Sequence, residues 1–173
     1  NLIEEAQKIS KALACSILMV EYRGFGDVKG RPTEQLLRMD GVMAVKYAVE
    51  KLKAKEIILW GQSLGTGVAA QVAADLETMD ENGKMEFTTI TSENSWVVQG
   101  LVLEAPYISM PHAFGDFWMF RWPLFFLDRD QRIWLGAKML TDTFHTKFWL
   151  NQSSVPVLFL HALDDGVIPH EHT

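Results

Sequence analysis

The sequence predicts an α/β protein, a mostly parallel sheet with helices on both faces, and three observations carry that prediction. Short, continuously apolar runs such as Ile57 to Trp60 alternate with segments whose apolar residues recur at helical spacing. Glycine-rich turns separate these segments, as in RGFGDVKG after Tyr22. One strand runs straight into a helix through Gly61-Gln62-Ser63-Leu64-Gly65, a connection used in parallel sheets.

The elements follow in order. Leu2 to Ala14 carries apolar residues at helical spacing, and Cys15 to Tyr22 (CSILMVEY) reads as a buried strand. Pro32 and Thr33 suit a helix start, after which Leu36, Leu37, Val42, Met43, Val45, Val49 and Leu52 form an apolar stripe ending near Lys53. Ile57 to Trp60 is the next strand and Leu64 to Leu76 the next helix. Polar residues crowd Glu77 to Ser95, a surface loop or insertion. Leu101 to Ala105 and Pro156 to Ala162 complete the strands.

With 173 residues, 48% of them apolar and 22% charged, the chain has the composition of one folded domain. Its net charge of −6 is spread among interspersed acids and bases, with no basic patch to neutralise a phosphate backbone, so nucleic acid is not an expected partner. Cys15, the single cysteine, lies in an apolar run and reads as a small core residue; it allows no intramolecular disulfide. The most apolar stretch, Phe117 to Leu127, is interrupted by Arg121 and falls short of the roughly 20 residues of a spanning helix.

The G-x-S-x-G pattern alone is weak, because glycine and serine are common. Its setting between strand and helix is what raises a hydroxyl above a sheet on a sharp turn, with glycines relieving the crowding. There the Leu64 amide opens a helix and can donate to a developing oxyanion. The competing reading is a glycine-rich turn capping a helix; a phosphate-binding loop is disfavoured by the absence of its lysine. In this arrangement an acid follows on a later strand end, and Asp164-Asp165 follows the last strand. Asp165 is the expected acid, with Asp164 in reserve, although Asp-Gly after a strand is also ordinary turn chemistry.

At this point the sequence resembles the α/β-hydrolase superfamily, and within it the monoacylglycerol and lysophosphatidylserine lipases. The resemblance covers nearly the whole chain and is carried by Glu21 to Asp40 (EYRGFGDVKGRPTEQLLRMD), Trp60 to Ala69 (WGQSLGTGVA), Leu101 to Tyr107 (LVLEAPY), Phe125 to Asp128 (FFLD) and Leu158 to Pro169 (LFLHALDDGVIP). It implies Ser63 as nucleophile, Leu64 as one oxyanion donor and Asp165 as the triad carboxylate, with no cofactor and no metal. Gln62 departs from the histidine often found there, and Glu77 to Ser95 is longer than the resemblance implies.

A serine hydrolase also needs an imidazole. Of the five histidines, His161 reads as structural because it precedes the acid. His170 and His172 follow Asp165 too closely and read as the start of a helix, while His112 and His145 fall in the expected cap. The expectation is therefore a fragment truncated at both ends, inactive as it stands, whose histidine lies beyond Thr173 and whose second oxyanion donor lies before Asn1.

The expected organisation is a core over residues 1–106, a cap over 107–154, and a final core strand and acid loop over 155–173. The cap is rich in aromatics, among them Phe114, Phe117, Trp118, Phe120, Trp122, Phe125, Phe126, Trp134, Phe144, Phe148 and Trp149. Most of these rings are expected to pack the cap onto the sheet, some to line an acyl channel. Interleaved with Arg121, Arg129 and Arg132, they also suit a membrane interface. The expected function is hydrolysis of a monoacylglycerol or lysophospholipid ester, with a protein depalmitoylating thioesterase or a non-catalytic lipid-binding protein as alternatives. By resemblance, the parent protein belongs at the endoplasmic-reticulum membrane, although no segment here spans one.

Overall fold

A computed structural model describes residues 2–77, 98–117 and 123–173 of the chain. Helix α1 (Leu2–Leu13) and helix α2 (Glu34–Glu50) precede strand β1 (Ile57–Gln62) and helix α3 (Leu64–Glu77). Strand β2 (Val98–Glu104) leads to α4 (Met110–Asp116), α5 (Arg129–Met139) and the short α6 (Thr146–Leu150). Strand β3 (Val157–Leu160) and a 3-10 turn (His170–His172) close the chain.

The sheet order is β1-β2-β3, and both pairings are parallel. Parallel pairing with helical crossovers is what the apolar strands demand, because such strands must be covered rather than solvated. Leu101 and Leu103 of β2 are fully buried against Ala69 and Ala73 of α3, and the small alanines let that helix lie close to the strands. A second cluster joins Leu37, Val42 and Val45 of α2 to Val68 and Val72 of α3, with Tyr107, Phe144 and Ile168. The two helices approach closely at Gly41, where an added Cβ would meet Val72 Cγ2 at 2.7 Å. Ile58, Trp60 and Leu158 are exposed.

Helix α2 begins as expected: the hydroxyl of Thr33 accepts from the Leu36 amide at 3.4 Å, and the helix stops at Glu50. Its buried side is Leu37, Val42, Val45 and Ala48, whereas Met43 lies exposed. Arg38 at 2.6 Å from the buried Asp75 carboxylate ties α2 to α3. Burial pushes the Asp75 carboxyl up, and the Arg38 guanidinium partly opposes that.

Two expectations need correction. Cys15 to Tyr22 forms no strand: the segment pairs with none of β1 to β3, and Ile17, Leu18, Met19 and Val20 are all exposed. An apolar run becomes a strand only when a neighbouring strand accepts its backbone groups, and no described strand does so here. Cys15 is accordingly exposed rather than a core residue. Helix α1 forms where its periodicity puts it, but none of its residues is buried.

The loop after this segment is fixed by charge. Arg23 grips Asp40 through its guanidinium, and its amide donates to the same carboxylate at 3.2 Å. These bonds hold the Asp40 carboxyl below the usual carboxylate range.

Because Leu103 is wholly enclosed, Leu103→Ala should cost about 2–5 kcal/mol through lost burial and the cavity it leaves. Chemical denaturation of the two proteins measures this as a lowered midpoint at constant slope.

Candidate functional site

The C-terminal ends of the parallel strands gather the residues singled out by sequence. At the end of β1 the chain turns through Ser63, whose φ is +48°, and enters α3 at Leu64. A left-handed backbone is costly for a residue with a Cβ, by about 1–2 kcal/mol, and persists only where the surroundings impose it. Three contacts impose it. The Ser63 amide donates to the Glu104 carbonyl at 2.9 Å, continuing the β1–β2 pairing by one residue. The Ser63 carbonyl accepts from the Thr66 amide at 2.9 Å and from the Thr66 hydroxyl at 2.6 Å. Strand and helix also press together at Gly61, where an added Cβ would lie 2.4 Å from the Gly65 carbonyl oxygen.

The two glycines of the motif therefore differ. Gly61 is needed for close approach, whereas nothing lies within 4 Å of a Cβ added to Gly65, so the expected crowding there is absent. The turn leaves Ser63 itself exposed. The Leu64 amide is at the first position of α3, where helix geometry offers no preceding carbonyl acceptor, and the positive end of the helix dipole lies there.

Gln62 turns out to have a local role. Its side-chain amide donates to Glu104 Oε1 at 3.3 Å, and the Trp60 indole donates to Oε2 of the same carboxylate at 3.3 Å. Glu104 thus ties the end of β1 to β2, a role sequence reasoning missed. Its only sequence signal was its place at the end of the LVLE strand.

Asp165 is carried by the loop after β3. Its Oδ1 accepts from the Val167 amide at 2.7 Å and the Ile168 amide at 2.9 Å. Burial works to raise its pKa, but these amides and nearby His161 outweigh it, so the carboxyl sits below its ordinary value. Asp165 is half-buried, whereas Asp164 is exposed. Ser63 and Asp165 leave the same edge of the sheet from β1 and β3, with β2 between, or two strand spacings of about 10 Å in all.

None of the described histidines hydrogen-bonds to Ser63, and His161 Nε2 lies 3.6 Å from Asp165 Oδ2. His161 Nε2 donates to the Ile168 carbonyl at 2.8 Å and its Nδ1 pairs with the Thr173 hydroxyl at 2.5 Å. These bonds tie the imidazole to the loop after β3. His172 is buried: its Nδ1 accepts from the Ile108 amide at 3.2 Å, and its Nε2 donates to Asp116 at 3.0 Å. Asp116 is in turn gripped by Arg129 at 2.7 and 2.8 Å. The 3-10 turn therefore does more than start a helix, because it locks the end of the chain to α4 and α5. His112 pairs with the Ser109 hydroxyl at 2.7 Å, and burial pushes the imidazole pKa down. His145 is exposed at the start of α6, and His170 is exposed beside Glu171.

The aromatic segment departs from expectation. Phe125, Phe126, Trp134 and Phe148 are exposed, Phe125 at 83%, whereas Tyr107 and Phe144 are buried core residues. Trp118, Phe120, Arg121 and Trp122 lie outside the described residues. The cations expected to face lipid are also engaged: Arg129 holds Asp116, and Arg132 donates to the carbonyls of Gly115 and Leu127. Among the described residues no group of three or more histidines, cysteines or acids is arranged to hold a metal ion, and no helix is long and apolar enough to cross a membrane.

Parallel strands, a helix launched from a left-handed serine, and an acid loop at the same sheet edge define an α/β-hydrolase architecture. The chain matches the family described as alpha/beta hydrolase fold over residues 2–133 and belongs to it. It is similar to human Protein ABHD12B, with 32% identity over 90% of this chain and 39% of that protein. It is also similar to the zebrafish Lysophosphatidylserine lipase ABHD12, with 28% identity over 95% of this chain and 39% of that protein. The chain thus spans about two-fifths of the length of these relatives. A solved alpha-beta hydrolase from Vibrio vulnificus superposes with a TM-score of 0.62 at 23% identity, over 86% of this chain and 46% of that one, a likeness of fold.

The strain at Ser63 is testable without any substrate. Ser63→Gly should raise stability by about 1 kcal/mol by relieving the left-handed backbone, whereas Ser63→Ala should not. Equal denaturation midpoints for the glycine and alanine variants would show that the turn stores no such energy.

Proposed function

We infer that this chain forms part of a serine hydrolase that cleaves carboxylic esters of lipids, a monoacylglycerol or a lysophospholipid such as lysophosphatidylserine. The observation that carries the reading is the exposed Ser63 held at φ +48° between β1 and α3. The lysophosphatidylserine lipases among its relatives support the choice of substrate class.

In this reading the Ser63 hydroxyl attacks the ester carbonyl, and an imidazole standing between Ser63 and Asp165 takes its proton. The tetrahedral oxyanion is met by the Leu64 amide. The proton then passes to the departing alcohol, leaving an acyl-enzyme that water hydrolyses. Asp165 suits the orienting role because its carboxyl stays ionised below the usual carboxylate range.

Residues 1–106 and 155–173 would then form the hydrolase core and 107–154 a cap. Exposed Phe125, Phe126 and Trp134 favour contact of that cap with a membrane surface, where aromatic rings settle at headgroup depth. The endoplasmic-reticulum membrane enters this reading through family resemblance alone.

The test is fluorophosphonate labelling of the full-length protein followed by lysophosphatidylserine turnover. Label should appear on Ser63, Ser63→Ala should abolish label and turnover, and Asp165→Asn should lower turnover by about 10³–10⁴-fold. An unlabelled Ser63 in folded protein would instead mark a non-catalytic lipid-binding member of the fold. Faster turnover of an S-acyl peptide than of lysolipid would mark a depalmitoylating thioesterase.

A further inference from the structure

An apolar pocket of about 300 Å³ opens beside the elbow. Its core side is built by Phe25, Pro32, Leu37 and Leu64, so the residue whose amide would meet the oxyanion also lends its side chain to the wall. The rest of the lining is Met110 of α4 and the segment that returns from α5 to the core, with Met139, Leu140, Thr141, Asp142 and Phe144. That returning segment has no regular secondary structure from Leu140 to His145. Phe144 takes a left-handed φ of +39° even though it is buried. Something must hold the turn in place.

The holding group is Glu34, the first residue of α2. Its Oε2 accepts from the backbone amides of Thr143 at 2.9 Å and Phe144 at 3.0 Å. Its Oε1 accepts from the side-chain amide of Gln71, a buried residue of the helix that Ser63 launches, at 2.7 Å. One carboxylate thus joins three pieces: the helix that bears Leu37, the helix that begins at Leu64, and the turn that bears Phe144. Hydrogen bonds to an ionised acceptor are short and directional, which suits fixing a turn rather than merely filling space. The Thr143 carbonyl completes the attachment by accepting from the Met110 amide at 2.8 Å.

We propose that Glu34 is a positioning residue that sets the acyl-chain preference of this pocket, by fixing the Leu140–Phe144 turn as its outer wall. The proposal rests on the lipid-ester reading above and adds to it a chain length. A pocket of this size holds a limited run of methylenes. A longer chain must displace the turn, and Glu34 resists that displacement.

The experiment is calorimetric titration of the purified full-length protein, in a Ser63→Ala background, with straight-chain alkanoates of six to fourteen carbons below their micelle concentrations. Affinity should rise with chain length until the pocket is filled and then level off, since further methylenes find no pocket. Glu34→Ala should weaken decanoate binding about tenfold and move the plateau to longer chains. Glu34→Gln, which keeps one acceptor oxygen for the turn, should restore the original profile. Met139→Trp places a ring in the pocket from an exposed position, so it should shorten the plateau without a loss of thermal stability.

If Glu34 were structural only, Glu34→Ala would lower Tm and leave the chain-length profile where it was, and that result overturns the proposal. So does an affinity independent of chain length in the parent chain. Because these titrations need no turnover, they separate from the labelling test. Loss of the profile with Ser63 still labelled defeats the pocket assignment alone. A retained profile with Ser63 unreactive defeats the hydrolase reading and leaves an alkyl-binding pocket.

Discussion

Everything at the candidate site depends on how closely β1 can approach α3. Only a hydrogen at Gly61 allows the strand to pass the Gly65 carbonyl, and that passage, with the bonds of Ser63 to Glu104 and Thr66, holds Ser63 in its left-handed turn. The turn exposes the serine while its backbone stays bonded on both sides, to Glu104 on β2 and to Thr66 within the helix. The cost of the conformation is borne by the packing behind it, where Ala69 and Ala73 settle α3 onto Leu101 and Leu103.

The polar groups around this apolar core act as joints between elements. Glu34 joins α2, α3 and the turn after α5. Glu104 joins β1 to β2, and Asp116 joins α4 to α5 and to the 3-10 turn through Arg129 and His172. Each joint is a carboxylate that accepts several donors. Asp165 follows the same rule within its own loop and keeps its charge low in the acid range as a consequence.

Much of this was legible in the sequence. Continuous apolar runs marked β1 to β3, although alternate residues of β1 and most of β3 lie exposed, and Thr33 marked the start of α2 through its capping chemistry. The serine motif and the Asp-Gly loop were visible as local patterns. What misled was the same apolarity read in isolation: Cys15 to Tyr22 looks as strand-like as Ile57 to Trp60, yet no described strand pairs with it. The aromatic segment misled likewise, since ring content alone does not say which rings are covered.

The sequence by itself determined which segments could be strands and helices, where the serine turn falls, and which family the chain belongs to. These are local matters of periodicity, capping and motif order. Tertiary structure decided that Glu34 reaches residues 143 and 144, that His172 is buried against Asp116, and that Gly61 rather than Gly65 is the tight glycine. Those contacts join residues up to 110 positions apart. No local propensity records them, because they exist only once the helices have settled on the sheet.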